Sequence, residues 1–173
     1  SIAAGVAGCR EILATDYEEV PLTLLEYAVE NLNPNLNLDS PTKTSIKINT
    51  KLFDICDFDT PLPKADVVVA ADIMYEPLTG KAMAKRVYEA LQRGSRVLVG
   101  DSPGRAGRPA FLEELRRLLG DDEESIDFVD AVGTTCSGPR HDLICGKGST
   151  SVSDVPKMLE VAVLDLQGPI LTL

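Results

Sequence analysis

The sequence predicts an α/β fold, an open parallel sheet covered by helices on both faces. Three observations predict it. Strand-like and helix-like stretches alternate from Cys9 onward, the order in which parallel strands are joined by crossover helices. The run Asp66–Ala71 is a continuous apolar, β-branched segment after its first residue, a composition that suits a parallel strand buried on both faces. Three of the predicted strands also end in a carboxylate, at Asp16, Asp72 and Asp101, and the carboxyl ends of strands are where open α/β sheets gather ligands.

Taken in order, Ser1 to Gly8 reads as the middle and end of a buried helix, with Ile2, Ala3, Ala4, Val6 and Ala7 apolar. Glu11 to Thr15 is a short strand ending at Asp16. From Tyr17 to Leu32 the residues Leu22, Leu25, Val29 and Leu32 recur at three and four, one face of a helix whose first turn tolerates Pro21. Asn33 to Asn35 stops it. Ile46, Ile48, Leu52, Phe53 and Ile55 make a strand candidate, followed by Asp54, Asp57 and Asp59 and the breaker Pro61-Leu62-Pro63. After the strand Asp66–Ala71, Glu76 to Arg93 predicts a helix with Met83, Val87, Ala90 and Leu91 inward and Gly94 as its carboxyl cap. Arg96 to Gly100 is the next strand. A loop from Asp101 to Gly107 leads to a helix opened by Pro109 that carries Phe111, Leu112, Leu115, Leu118 and Leu119 and ends in the charged turn Asp121 to Glu124. Ile126 to Val132 and Leu159 to Leu166 are the last strand candidates, and Gln167 to Leu173 has no readable pattern.

A chain of 173 residues with 44% apolar content is sized for one core, so a single domain over residues 1–173 is expected. No apolar run approaches the roughly 20 residues of a membrane helix and no secretory signal is visible, which points to a soluble intracellular protein. Cys9, Cys56, Cys136 and Cys145 lack close pairing and His141 is the lone histidine, so no metal is expected and the thiols are expected in the core. The net charge of -10 opposes binding along a phosphate backbone and excludes nucleic acid as a natural partner. It suits a basic protein segment or a small neutral or cationic molecule.

Four segments carry chemistry: Ile12-Leu13-Ala14-Thr15-Asp16, Asp54-Ile55-Cys56-Asp57-Phe58, Asp72-Ile73-Met74-Tyr75 and Asp101-Ser102-Pro103-Gly104-Arg105. Together, over nearly the whole chain, they resemble the class I S-adenosylmethionine-dependent methyltransferases, and within them the group that methylates lysines of non-histone proteins. The resemblance implies a Rossmann-like sheet closed by an antiparallel hairpin of the last two strands. It assigns Asp16 to the ribose hydroxyls of S-adenosylmethionine, although Asp16 also suits a helix cap, and dinucleotide enzymes hold ribose in the same way. It assigns Asp57, or Asp54 in its stead, to the adenine amino group, against the plain reading of a solvated acidic turn. Asp72 and Tyr75 are the catalytic element in this comparison, bordering cofactor and target amine; the alternative is a capping aspartate beside a core tyrosine. Asp101 and Arg105 match a loop that follows the fifth strand in bacterial and mitochondrial relatives, with Ser102 inserted here, and are expected as substrate-contact candidates; a simple Pro-Gly turn is the alternative.

The same resemblance implies that the glycine-rich cofactor loop and the first strand precede Ser1, so the chain is expected to be truncated and inactive alone. The missing strand would lie between those at Glu11–Thr15 and Asp66–Ala71. The connection Gly133 to Lys157 would stand over the acceptor entrance and bring Arg140 and His141 to the substrate. The implied reaction is methyl transfer to nitrogen, with a lysine of a protein as acceptor or else a small, nicotinamide-like amine, in the cytoplasm or the mitochondrion. A methyltransferase-like subunit without catalysis and a dinucleotide dehydrogenase are the rival readings.

Overall fold

The structure, a computed structural model, describes residues 4–5, 8–32, 47–102, 104–120, 126–134 and 158–168. They divide into two compact units, Ser1–Pro61 and Leu62–Leu173.

In the first unit, Ala4 and Gly5 are helical and the helix closes with the Cys9 amide bonded to the Ala4 carbonyl and the Gly8 amide to that of Gly5. Gly8 takes φ 102, the left-handed residue this motif requires. Strand β1 (Glu11–Asp16) pairs in parallel with β2 (Lys47–Leu52), in register from Glu11 with Lys47 to Asp16 with Leu52. Helix α1 (Glu19–Leu32) packs on both strands. Leu22 is buried and Leu25 and Val29 are half-buried, as the spacing requires, while Val20, Leu24 and Tyr27 are exposed. Strand β2 stops at Leu52, short of the expected Ile55. The Phe53 amide still bonds the Asp16 carbonyl at 2.8 Å, and Asp54 then turns the chain by accepting the Cys56 amide. The expected stop at Asn33 to Asn35 lies outside the described residues.

In the second unit, β3 (Val67–Ala71) and β4 (Arg96–Asp101) are parallel, and β5 (Val129–Thr134) and β6 (Met158–Gln167) complete a sheet of order β3-β4-β6-β5. β6 runs antiparallel to both β4 and β5, so among the described residues this four-stranded sheet has one parallel and two antiparallel pairings, the last two strands forming an antiparallel pair. β5 begins three residues after the expected Ile126, which is buried ahead of the strand.

Helix α2 (Pro77–Gln92) starts on a proline whose missing N–H costs nothing in the first turn. It ends with the Ser95 amide on the Ala90 carbonyl, the Gly94 amide on that of Leu91, and Gly94 at φ 81. Met83, Val87, Ala90 and Leu91 are buried as their spacing predicts. Helix α3 (Gly107–Leu119) packs against α2 and starts two residues before Pro109, since proline is tolerated throughout a first turn and does not mark its first residue. Its carboxyl cap is Gly120, left-handed at φ 71; the charged turn expected at Asp121 to Glu124 lies outside the described residues. Phe111, Leu115, Val87, Val97, Val99, Ala162 and Leu164 form the core.

Two expectations about burial fail. Among the described residues β3 lies at the edge of its sheet, Val67 and Val69 are 46% and 64% exposed, and cover on both faces is not found. Cys9 is exposed and Cys56 half-buried, because each falls in a turn rather than on an element's inner face; Cys136 and Cys145 lie outside the described residues. No helix among the described residues is long and apolar enough to cross a membrane.

Candidate functional site

The carboxyl ends of β1 and β2 bring Asp16 and the Asp54–Asp57 turn to one edge of the first unit. Asp16 ends β1, and one of its oxygens accepts the Glu18 amide at 3.0 Å, a turn that leads the chain into α1. Among the described residues its second oxygen takes no hydrogen bond. Asp57 accepts the Asp59 amide at 3.1 Å and the Thr60 hydroxyl at 2.7 Å, so its carboxylate is engaged in its own turn. Tyr17 lies in this acidic edge. The Glu18 carboxylate, as an anion and as a hydrogen-bond partner, raises its phenol pKa above the ordinary value, with Asp16 and Asp54 adding to the effect.

The second unit gathers Asp72, Tyr75, Asp101 and Arg105. Asp72 follows β3 in a left-handed conformation, φ 55, which short polar residues tolerate better than most, with its amide on the Gly100 carbonyl at 2.8 Å. Met74 is fully buried, and this anchors the segment so that Tyr75 points outward, 56% exposed. Gly107, the first residue of α3, donates its amide to the Met74 carbonyl at 3.1 Å, fastening the loop after β4 to the loop after β3. Arg105 reaches Asp72 as a fork, Nε to Oδ1 at 2.8 Å and Nη2 to Oδ2 at 2.5 Å. Its guanidinium carbon lies 4.1 Å from the centre of the Tyr75 ring. The Arg105 bond, with help from Ser102, holds the Asp72 carboxyl below the usual range although partial burial opposes it.

Asp101 is 1% exposed. Residues 97, 99 and 101 share the inner face of β4 by its period of two, so the carboxylate continues a buried valine row. Burial raises its pKa, against the opposing pull of Arg108, whose Nε donates to Oδ2 at 3.2 Å. Oδ1 has no hydrogen-bond partner among the described residues. Arg108 also donates to the Asp101 and Ser102 carbonyls, both at 3.2 Å, and stacks 4.7 Å over Phe128. Sequence reasoning missed Arg108, yet a carboxylate on the buried parity of β4 was a signal that a nearby cation had to answer it. Arg140 and His141, expected over the acceptor entrance, lie outside the described residues.

No protein-family model matches the chain, and no curated protein matches it in sequence. Solved structures do resemble it. An S-adenosylmethionine-dependent methyltransferase from Methanosarcina mazei matches 91% of this chain and 82% of its own, with a TM-score of 0.52 at 15% identity. A protein described with the conversion of a disulfide bond into a thioacetal group during echinomycin biosynthesis matches 96% of this chain and 69% of its own, with a TM-score of 0.56 at 8% identity. At such identities the likeness is one of fold: the chain shares the α/β fold of an S-adenosylmethionine-dependent methyltransferase.

Proposed function

We propose that the chain is an S-adenosylmethionine-dependent N-methyltransferase, one domain over residues 1–173, whose acceptor is a lysine side chain of a protein. The observation that carries the reading is that Arg105 binds the Asp72 carboxylate and stacks on the exposed Tyr75 ring, which gathers both residues just beyond the carboxyl end of β3, in a fold shared with a methyltransferase.

The residues present fit the cofactor. Asp16, at the end of β1 with one oxygen still open among the described residues, suits the two hydroxyls of a ribose. Asp54 or Asp57, beyond the neighbouring strand end, suits the adenine amino group; Asp57 already spends both oxygens on its own turn, which favours Asp54. When bound, S-adenosylmethionine supplies an electrophilic methyl group on a sulfonium.

The chain's own task is positioning, since a displacement at methyl needs the amine lone pair in line at near-attack distance. A lysine of ordinary pKa, ~10.4, must first lose a proton at a cost of about 4.6 kcal/mol at pH 7. Asp72 does not lower that cost, because a carboxylate favours the ammonium form; its role is to hold and orient the amine. Tyr75 lines the amine's approach. The net charge of -10 favours an acceptor set in a basic protein segment.

Calorimetry of S-adenosylmethionine with the purified full-length protein, and transfer of labelled methyl groups to lysate proteins against free amines, test the reading. Asp72→Asn should depress turnover far more than cofactor affinity. Equal losses would make Asp72 a cofactor ligand, and labelling of free amines alone would replace the protein acceptor with a small one.

A further inference from the structure

Asp72 and Tyr75 form a cation site that the chain fills with its own arginine. An anionic fork in the plane of the guanidinium and an aromatic face beneath it are two general means of recognising an ammonium or guanidinium group. Both act on Arg105, through the bonds of 2.8 and 2.5 Å to Asp72 and the 4.1 Å stacking on Tyr75.

Arg105 is not part of the core. Its side chain is 28% exposed, and among the described residues its side-chain hydrogen bonds all go to Asp72. The loop that carries it is anchored elsewhere, by Arg108 on the Asp101 and Ser102 carbonyls and by the Gly107 amide on Met74. Withdrawal of Arg105 therefore leaves the loop's attachments in place.

We propose that Arg105 is a specificity-determining residue, an internal cation that holds the Asp72–Tyr75 site in the resting protein and is exchanged for the cationic head of the acceptor. The proposal rests on the reading of Asp72 as the group that holds the acceptor. No covalent bond changes. An incoming ammonium or guanidinium replaces one charge on Asp72 with another, and the released guanidinium turns to water. A neutral group offers Asp72 no charge in exchange and leaves the pair closed. The exchange also lowers the apparent affinity for any external cation, by the fraction of time the site stands open.

Methylguanidinium chloride and methylammonium chloride, added without S-adenosylmethionine, are the probes. Titrations followed through the Tyr75 ring resonances would compare wild type, Arg105→Met, and Arg105→Met combined with Asp72→Asn. We expect roughly tenfold tighter probe binding by Arg105→Met than by wild type, as for a site that is self-occupied about nine-tenths of the time, and loss of that binding in the double variant. Equal affinity of wild type and Arg105→Met overturns self-occupancy, and binding that survives Asp72→Asn overturns the site. Should Arg105→Met fail to fold, the wild-type Arg105 Nε–H resonance decides: it should shift as methylguanidinium saturates, and an unmoved resonance overturns the proposal. Calorimetry with S-adenosylmethionine separates the two readings. Cation exchange without cofactor binding removes the methyltransferase reading alone, and cofactor binding without cation exchange removes this one alone.

Discussion

Replacing Gly80 with alanine should destabilise the protein, although an ordinary helix-interior glycine gains about 1 kcal/mol from the same change. A Cβ at Gly80 would stand 2.1 Å from the Gly107 carbonyl oxygen and 2.9 Å from its carbonyl carbon. Those atoms are backbone, so no side chain can swing aside. Restoring an ordinary contact of ~3.5 Å requires α2 and α3 to part by more than about 1 Å. That opens the packing around Val87, Phe111 and Leu115, which have no exposed surface. Overpacking costs about 1–3 kcal/mol, and a backbone clash this close belongs at the upper end. After the propensity gain a net loss of about 2 kcal/mol remains, or roughly 5 °C in Tm for a domain of this size. Parting the helices also strains the Gly107–Met74 bond that sets Arg105 against Asp72. Thermal denaturation followed by circular dichroism measures the effect. Gly100→Ala, where a new Cβ meets nothing within 4 Å, is the control and should melt close to wild type. A Gly80→Ala protein that melts at or above wild type would refute the argument from close approach.

Asp16→Ala should weaken S-adenosylmethionine binding by about tenfold to a hundredfold, the equivalent of one or two charged hydrogen bonds, with the fold intact; unchanged affinity by calorimetry removes the ribose assignment. Asp101 has a raised pKa in the folded chain, so its destabilising contribution is absent below the unfolded carboxylate value of ~3.9 and complete above the folded one. The Tm of Asp101→Asn relative to wild type should therefore climb as pH rises from about 4, and a difference that falls with pH would show that the Arg108 pairing outweighs burial. Arg96 and Asp165 pair across β4 and β6 with side chains 47% and 44% exposed, so Asp165→Asn should cost no more than about 1 kcal/mol and the cost should shrink with added salt; a larger, salt-insensitive loss would contradict the view of this pair as solvent-screened.

The elements of the second unit were legible where short-range chemistry specifies them. Met83, Val87, Ala90 and Leu91 mark one face of α2, Pro77 suits its first turn, and Gly94 is the residue that closes it in a left-handed conformation. Boundaries were less legible wherever the deciding contact is long-range. β2 ends at Leu52 although Ile55 continues the apolar pattern, because Asp54 turns the chain back on itself by capturing the Cys56 amide. β3 reads as a doubly covered strand because its valines are continuous, but cover depends on what lies beside the strand, which composition does not state.

The chemistry of the site divides along the same line. Strand ends marked by Asp16, Asp72 and Asp101 are local features, and all three aspartates stand at such ends. Their environments are not local. Asp72 and Arg105 are 33 residues apart and meet only because Gly107 lets α3 begin directly on the carbonyl of Met74. Asp101 is the intermediate case. The period of β4 alone puts it in the row of Val97 and Val99, so its burial follows from parity, and burial of a carboxylate demands a cation within reach. Arg108, seven residues on and in the first turn of the next helix, was the natural candidate because a strand joined to a helix by so short a loop returns that first turn to the strand's end. Arg105, two residues outside that turn, is then left over for a partner on another strand, and the carboxylate ending the adjacent parallel strand is Asp72.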